Sequence, residues 1–224
     1  MQCCSKHGVP RTPSRIIVSR KLTAATDDSK NETAKKFRDW LQALPPRTLA
    51  VYSDGSRSEE GHVGYGYAVH RDGSSVLSGK GRVGPAEVFD AGARGALEGL
   101  KAALSLLGSD CIFVCLDNLA TARCLRGTPS DSSQDVFLEF QFLVREHGGV
   151  EVQWIPGHAD ILGNEEADAL AKAGASLPEP ADDAPTLARL RKIARQRPKE
   201  AFKTWWQTSA PEQYRNLDLT ATTG

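Results

Sequence analysis

Apolar and polar residues alternate with two different periods along the chain. Thr48 to Tyr52 is a buried-strand run that ends at Asp54-Gly55-Ser56. His62 to His70 alternates around Val63, Tyr65, Tyr67 and Val69. That period of two predicts strands. Asp72-Gly73 is a hairpin turn signal, and Ser75 to Val83 follows as a third strand. The spacing then becomes helical. Ala86 to Leu107 carries Val88, Ala91, Gly95, Ala96, Leu100, Ala103 and Leu107 as one apolar or small stripe. Cys111 to Leu116 reads as a fully apolar strand ending at Asp117, and Asn118 to Leu125 as a short helix. Asp131 to His147 is a second helix, with Val136, Phe137, Phe140, Phe142, Leu143 and Val144 supplying its apolar faces. Val150 to Ile155 is a strand, and Gly163 to Ala175 a final helix. The order βββαβααβα predicts an α/β fold, a mixed five-stranded sheet flanked by helices.

Three segments result. Residues 1–46 form a basic leader with a short helix over Asn31 to Leu44, where Phe37, Trp40, Leu41 and Leu44 recur at helical spacing until Pro45-Pro46. The first 30 residues are rich in Ser, Thr, Lys and Arg without periodicity, which predicts disorder. Residues 47–177 are the folded domain, closed by Pro178, Pro180 and Pro185. Residues 178–224 are a basic and aromatic tail, with an amphipathic helix over Thr186 to Gln196, then Pro198 and Phe202 to Trp206.

Composition sharpens this. With 224 residues, 40% hydrophobic and 25% charged, the chain can bury a core without disulfide or metal. The longest apolar run, Cys111 to Leu116, falls far short of the roughly 20 residues of a membrane span. The leader has no apolar stretch of signal-peptide type, so the expected location is intracellular, nuclear or cytoplasmic, not secreted, with no membrane partner. Five cysteines without a Cys-x-x-Cys pair read as reduced thiols, not a zinc or redox site. Basic and acidic residues both number 28, so net charge is zero. That zero conceals +5 over residues 1–46, −7 over 47–177 and +2 over 178–224.

Three acids occupy telling places. Asp54 ends the first strand, Asp117 ends the fourth, and Asp168 lies in the first half of the last helix. Carboxylates at strand ends of an open sheet project where such sheets place ligands. Converging carboxylates repel unless a cation or proton neutralises them, and Mg²⁺ keeps room for water and phosphate. Each acid also has an ordinary reading: Asp54 as a turn residue, Asp117 as a helix cap, Glu165 and Glu166 as first-turn acids. In this order on this pattern the three Asp read together as a site, and Glu165 and Glu166 as structural. His158 sits in a loop before the last helix, placed for proton transfer or simply solvated.

Tyr52-Ser53-Asp54-Gly55-Ser56, Gly64-Tyr65-Gly66-Tyr67-Ala68, Leu116-Asp117-Asn118, Trp154-Ile155-Pro156-Gly157-His158 and Gly163 to Ala171 together resemble the type 1 ribonuclease H family, over about residues 48–175. Trp205-Trp206 and Tyr214-Arg215-Asn216-Leu217 resemble the sequence that follows this domain in fungal non-LTR (LINE-type) retrotransposon polyproteins, which are reverse transcriptase-associated. The resemblance implies a ribonuclease H-like fold and endonucleolytic hydrolysis of the RNA strand of an RNA–DNA hybrid by a monomer using two Mg²⁺ (or Mn²⁺) ions. Asp54, Asp117 and Asp168 would be the catalytic metal ligands, and His158 would assist proton transfer or product release. Gly55, Ser56, Asn118 and Asn164 would contact nucleic acid. The segment between Asn118 and Val150 resembles family members that lack a basic hybrid-binding protrusion.

One position departs. Gly92 stands where the family has a catalytic Glu on the first long helix. Its same-face neighbours are Pro85, Val88, Phe89, Gly95, Ala96 and Gly99, none of them acidic, while Glu87, Asp90 and Glu98 point elsewhere. Gly92, Gly95 and Gly99 also suit a packing face, at about 1 kcal/mol each in helix propensity. Loss of the Glu implies that one ion is held weakly and cleavage is impaired. Three functions compete: a weakened hybrid ribonuclease, an inactive nucleic-acid-binding retrotransposon remnant, and a related nuclease with another substrate. The basic tail, seven cations between Arg189 and Lys203 against Glu200, either binds phosphates with a Trp stacking on bases, or is a solvated helix. In the second case Leu187, Leu190 and Ile193 pack on the domain and the Trp pair forms a small core.

Overall fold

The computed structural model describes residues 29–211 apart from 109, 182–183 and 210. The expected disorder of the leader and the Tyr214 to Leu217 motif therefore fall outside the described residues. The elements are α1 (Lys30–Gln42), β1 (Leu49–Arg57), β2 (Val63–Arg71), β3 (Ser74–Val83), α2 (Val88–Leu104), β4 (Ile112–Leu116), α3 (Leu119–Arg126), α4 (Gln134–His147), β5 (Val150–Trp154), α5 (Leu162–Ala175) and α6 (Leu187–Ser209). From β1 to α5 the order is βββαβααβα, as the sequence predicts. The five strands lie in the order β3-β2-β1-β4-β5. The β1–β2 and β2–β3 pairs are antiparallel; β1–β4 and β4–β5 are parallel.

Side-chain alternation divides the core between the two sheet faces. Leu49, Val51, Ile112, Val114, Leu116, Val150 and Val152 face one way, into a cluster with Leu97 and Leu100 of α2 and Phe137 and Phe140 of α4. Ala50, Tyr52, Phe113 and Cys115 face the other way, with Ala167 of α5 and Ala34 and Phe37 of α1. Truncating the fully buried Leu100 to Ala would cost about 2–5 kcal/mol. The helix before Pro45-Pro46 thus shares a core with the sheet. Trp40 meets Phe113 edge-on at 4.7 Å, and Arg38 Nη1 donates to the Ala159 carbonyl at 3.1 Å.

Small residues let the helices approach closely. A Cβ at Gly66 would lie 2.4 Å from the Ala167 carbonyl oxygen of α5, and one at Gly99 of α2 would lie 2.6 Å from Val51 Cγ1. Some expectations change. α2 stops at Leu104 with Ser105 as its cap, so Leu107 leaves the stripe and is 93% exposed. Phe142 of α4 is also exposed. α6 runs through Pro198 and has no buried residue, and Leu187, Leu190 and Trp205 are exposed. The expected small Trp core is absent among the described residues. Phe202, Trp205 and Trp206 pack on one another, with centroids 5.8–6.2 Å apart.

Candidate active site

Asp54 does not end its strand, as the sequence suggests. The parallel β1–β4 ladder stops at Tyr52↔Cys115, while β1 continues against β2 to Arg57. Asp54 lies just past the last rung, where the sheet opens, and Asp117 is the first residue after β4. The two acids therefore sit just beyond the end of the parallel β1–β4 ladder, where the sheet opens. Asp54 Oδ1 accepts from the Gly55 amide at 2.7 Å. Asp117 is held from three sides. Trp154 Nε1 donates to its carbonyl oxygen at 2.7 Å, and the Asn164 side chain hydrogen-bonds its carboxylate. The loop after β5 comes so close that a Cβ on Gly157 would lie 2.1 Å from Asp117 Oδ2. Gly157 and Trp154 are positioning residues whose roles the sequence motif contains but does not explain.

Burial, then the charge of Asp117 and more weakly that of Asp168, pushes the Asp54 carboxyl up to about 7. Burial chiefly raises Asp117 as well. In both cases His158 works in the opposite direction. Carboxylates arranged at this electrostatic cost are a donor set suited to a hard divalent cation.

The loop and α5 add a second grouping. His158, exposed and in the left-handed region at φ 48°, joins Glu165 and Asp168, their ligand atoms all within 4.8 Å of one another. Glu165 Oε1 and Asn164 Oδ1 are buried without a hydrogen-bond partner. Such orphaned oxygens beside a carboxylate cluster also suit a cation. Glu165 keeps its expected place as a first-turn acid of α5 and also faces this grouping. Glu166 has a structural role, with Oε2 2.8 Å from His70 Nε2 and Oε1 accepting from Ser75 Oγ at 2.8 Å. Asp168 Oδ2 holds Lys172 Nζ at 2.6 Å.

Gly92 opens onto the site. A Cβ there would meet only Thr121 Oγ1, at 3.8 Å. Packing thus accounts for Gly95 and Gly99 but not for Gly92. The adjoining cavity, about 260 Å³, has Asp54 and Asp117 as its acidic lining. The nearby acids of α2 are committed elsewhere. Glu87 binds Arg57, Arg189 and Lys192; Glu98 lies against Arg94 and Lys101. Asp90 accepts from Ser132, Ser133 and Thr186.

The residues expected to touch nucleic acid divide. Gly55 and Ser56 are half-buried beside Asp54. Asn118 caps α3, its Oδ1 accepting from Thr121 N at 3.1 Å. Asn164 is 1% exposed and its side chain hydrogen-bonds the Asp117 carboxylate.

The sheet order β3-β2-β1-β4-β5, with helices on both faces, defines a mixed α/β domain. The RNase H family model matches residues 46–176, and the chain belongs to the RNase H family. No curated protein matches the chain. Among solved structures it is similar to RNase H1 from the halophilic archaeon Halobacterium salinarum NRC-1, with 23% identity, 57% of this chain and 96% of that chain covered, and a TM-score of 0.48. It is also similar to the N-terminal RNase H domain of rv2228c from Mycobacterium tuberculosis, at 22%, 57%, 93% and 0.49 respectively. The foamy viral protease-reverse transcriptase in complex with RNA/DNA hybrid shares the fold, at 13% identity and a TM-score of 0.50, with 59% of this chain and 21% of that chain covered.

Proposed function

We propose that the chain is an RNA–DNA hybrid ribonuclease whose cleavage of the RNA strand is impaired at Gly92. Asp54, Asp117 and Asp168 would hold Mg²⁺ or Mn²⁺, with Glu165 at the edge of the set. Two bound ions would supply charge stabilisation to the attacking and leaving oxygens of a phosphodiester hydrolysis. The Gly55 amide and the Trp154 and Asn164 side chains orient the carboxylates. His158, exposed on its loop turn beside Glu165 and Asp168, would carry a proton to or from bulk water.

The observation that carries this reading is the contrast within one cavity: two half-buried acids with raised pKa values on one wall, and open space at Gly92 on the other. The same glycine favours a second reading, a nucleic-acid-binding domain without catalysis. Assay of a labelled RNA–DNA hybrid with Mg²⁺, using this chain and Gly92→Glu, separates the two. A weakened enzyme cleaves slowly and gains from the substitution; a binding remnant binds hybrid and cleaves nothing. The tail's resemblance to retrotransposon polyproteins, with a viral reverse transcriptase among the similar folds, supports descent from a reverse transcriptase-associated polyprotein.

A further inference from the structure

α6 is amphipathic in sequence yet buries none of its residues. Its first two turns are tied to the domain. Thr186 N donates to the Pro85 carbonyl, Arg189 and Lys192 reach Glu87, and Arg191 reaches Asp131. Beyond Ile193 the helix is exposed except at Trp206. Arg195, Arg197, Lys199 and Lys203 there have no ion pair among the described residues.

Arg195, Lys199, Phe202, Lys203 and Trp206 follow one another at i, i+4, i+7, i+8 and i+11, an arc of about 100° on the helix. Cations and aromatic rings therefore share one face. Phe202 and Trp206 are nearly parallel, at 28° and 5.8 Å. Like-charged faces oppose a second copy of the helix, since Glu200 is the stretch's one acid. An acidic protein would meet the cations but leave the rings without a planar partner. A nucleic-acid duplex hides its base faces. A single strand offers both phosphates and free base faces.

We propose that the distal face of α6 binds single-stranded nucleic acid, as an arm beside the site. The anchor explains the placement: Glu87, which holds the base of α6, directly precedes Val88 on the wall of the active-site cavity. The proposal deepens the reading as a nucleic-acid enzyme by adding a grip on unpaired strand, and it rests on that reading for its purpose, not for the binding itself.

The test is fluorescence anisotropy of a labelled oligothymidylate of about ten nucleotides with the full chain in EDTA. The triple variant Arg195→Ala/Lys199→Ala/Lys203→Ala should bind about tenfold or more weakly, with the log–log salt slope smaller by about 2. Phe202→Ala/Trp206→Ala should lose about tenfold or more with the slope unchanged. Binding in EDTA needs no catalytic metal, so failure of cleavage and failure of the arm are read separately. Circular dichroism checks that the exposed substitutions leave the fold intact. Parent-like binding by both arm variants overturns the proposal. So does a concentration-dependent dimer in sedimentation that Phe202→Ala/Trp206→Ala dissociates, because the face is then a self-association surface.

Discussion

Ser53 Oγ donates to the Gly92 carbonyl oxygen at 2.9 Å, a bond that fixes residue 92 of α2 against β1 one residue before Asp54. Gly92 lines the same cavity as Asp54 and Asp117, and only Thr121 Oγ1 lies within 4 Å of a new Cβ there. Gly92→Glu should therefore fold. Helix propensity contributes up to about 1 kcal/mol in its favour, against the repulsion of a third acid. Without metal the two effects oppose, and thermal stability should change little. With Mg²⁺ the added carboxylate should tighten binding about tenfold or more. Titration calorimetry of both chains measures the difference.

The raised Asp54 carboxyl makes stability depend on pH. Its ordinary value is 3.8, and in the fold it rises to about 7. The folded state then holds a proton that the unfolded state has released, so metal-free stability falls as pH rises from about 4 to about 7. Asp54→Asn removes the charged form. It should stabilise the metal-free protein at pH 8 by about 2–4 kcal/mol and have little effect at pH 4. Urea denaturation in EDTA at the two pH values checks the sign. A destabilised Asn variant at pH 8 would remove burial as the cause.

Lys172 Nζ sits 2.6 Å from Asp168 Oδ2 and is itself 63% exposed. An incoming cation competes with this ammonium for the same carboxylate. Lys172→Met should raise Mg²⁺ affinity a few-fold, by an amount that shrinks at high salt. Stability should change by less than about 1 kcal/mol, the range for an exposed pair.

Asp90 is 3% exposed and accepts from the Glu87 amide and three hydroxyls, those of Ser132, Ser133 and Thr186. It joins the start of α2, the turn before α4 and the segment leading into α6. Asp90→Ala would leave these donors unpaired and should cost about 3 kcal/mol or more. Limited proteolysis should then cut first between residues 178 and 186, as α6 loses its anchor.

The strands were legible because alternation is a direct record of a two-faced sheet. Leu49 and Val51 go to one cluster, Ala50 and Tyr52 to the other. Strand ends were less legible. Asp54 precedes a glycine and looks terminal, but antiparallel pairing with β2 carries β1 on to Arg57. Long-range packing was not legible from local pattern. The α1 helix reads as part of a leader, and its place on Phe113 depends on a strand some 70 residues away. At the site, the three Asp and His158 follow from motif order. Glu165 reads as a first-turn acid until the loop brings His158 beside it. The three glycines of α2 look alike in sequence. Only the neighbouring strands distinguish Gly95 and Gly99, which meet Ser53 and Val51, from Gly92, which meets open space.

In the proposed reading, Gly92 limits an otherwise assembled ribonuclease site. The most direct measurement is cleavage of the RNA strand of an RNA–DNA hybrid in Mg²⁺ by the chain and by Gly92→Glu, at equal protein concentration. The expected result is slow cleavage by the chain, acceleration of about a hundredfold or more by the substitution, and loss of that gain when Asp54→Asn is added. Rapid cleavage by the chain itself, unchanged by Gly92→Glu, would contradict it.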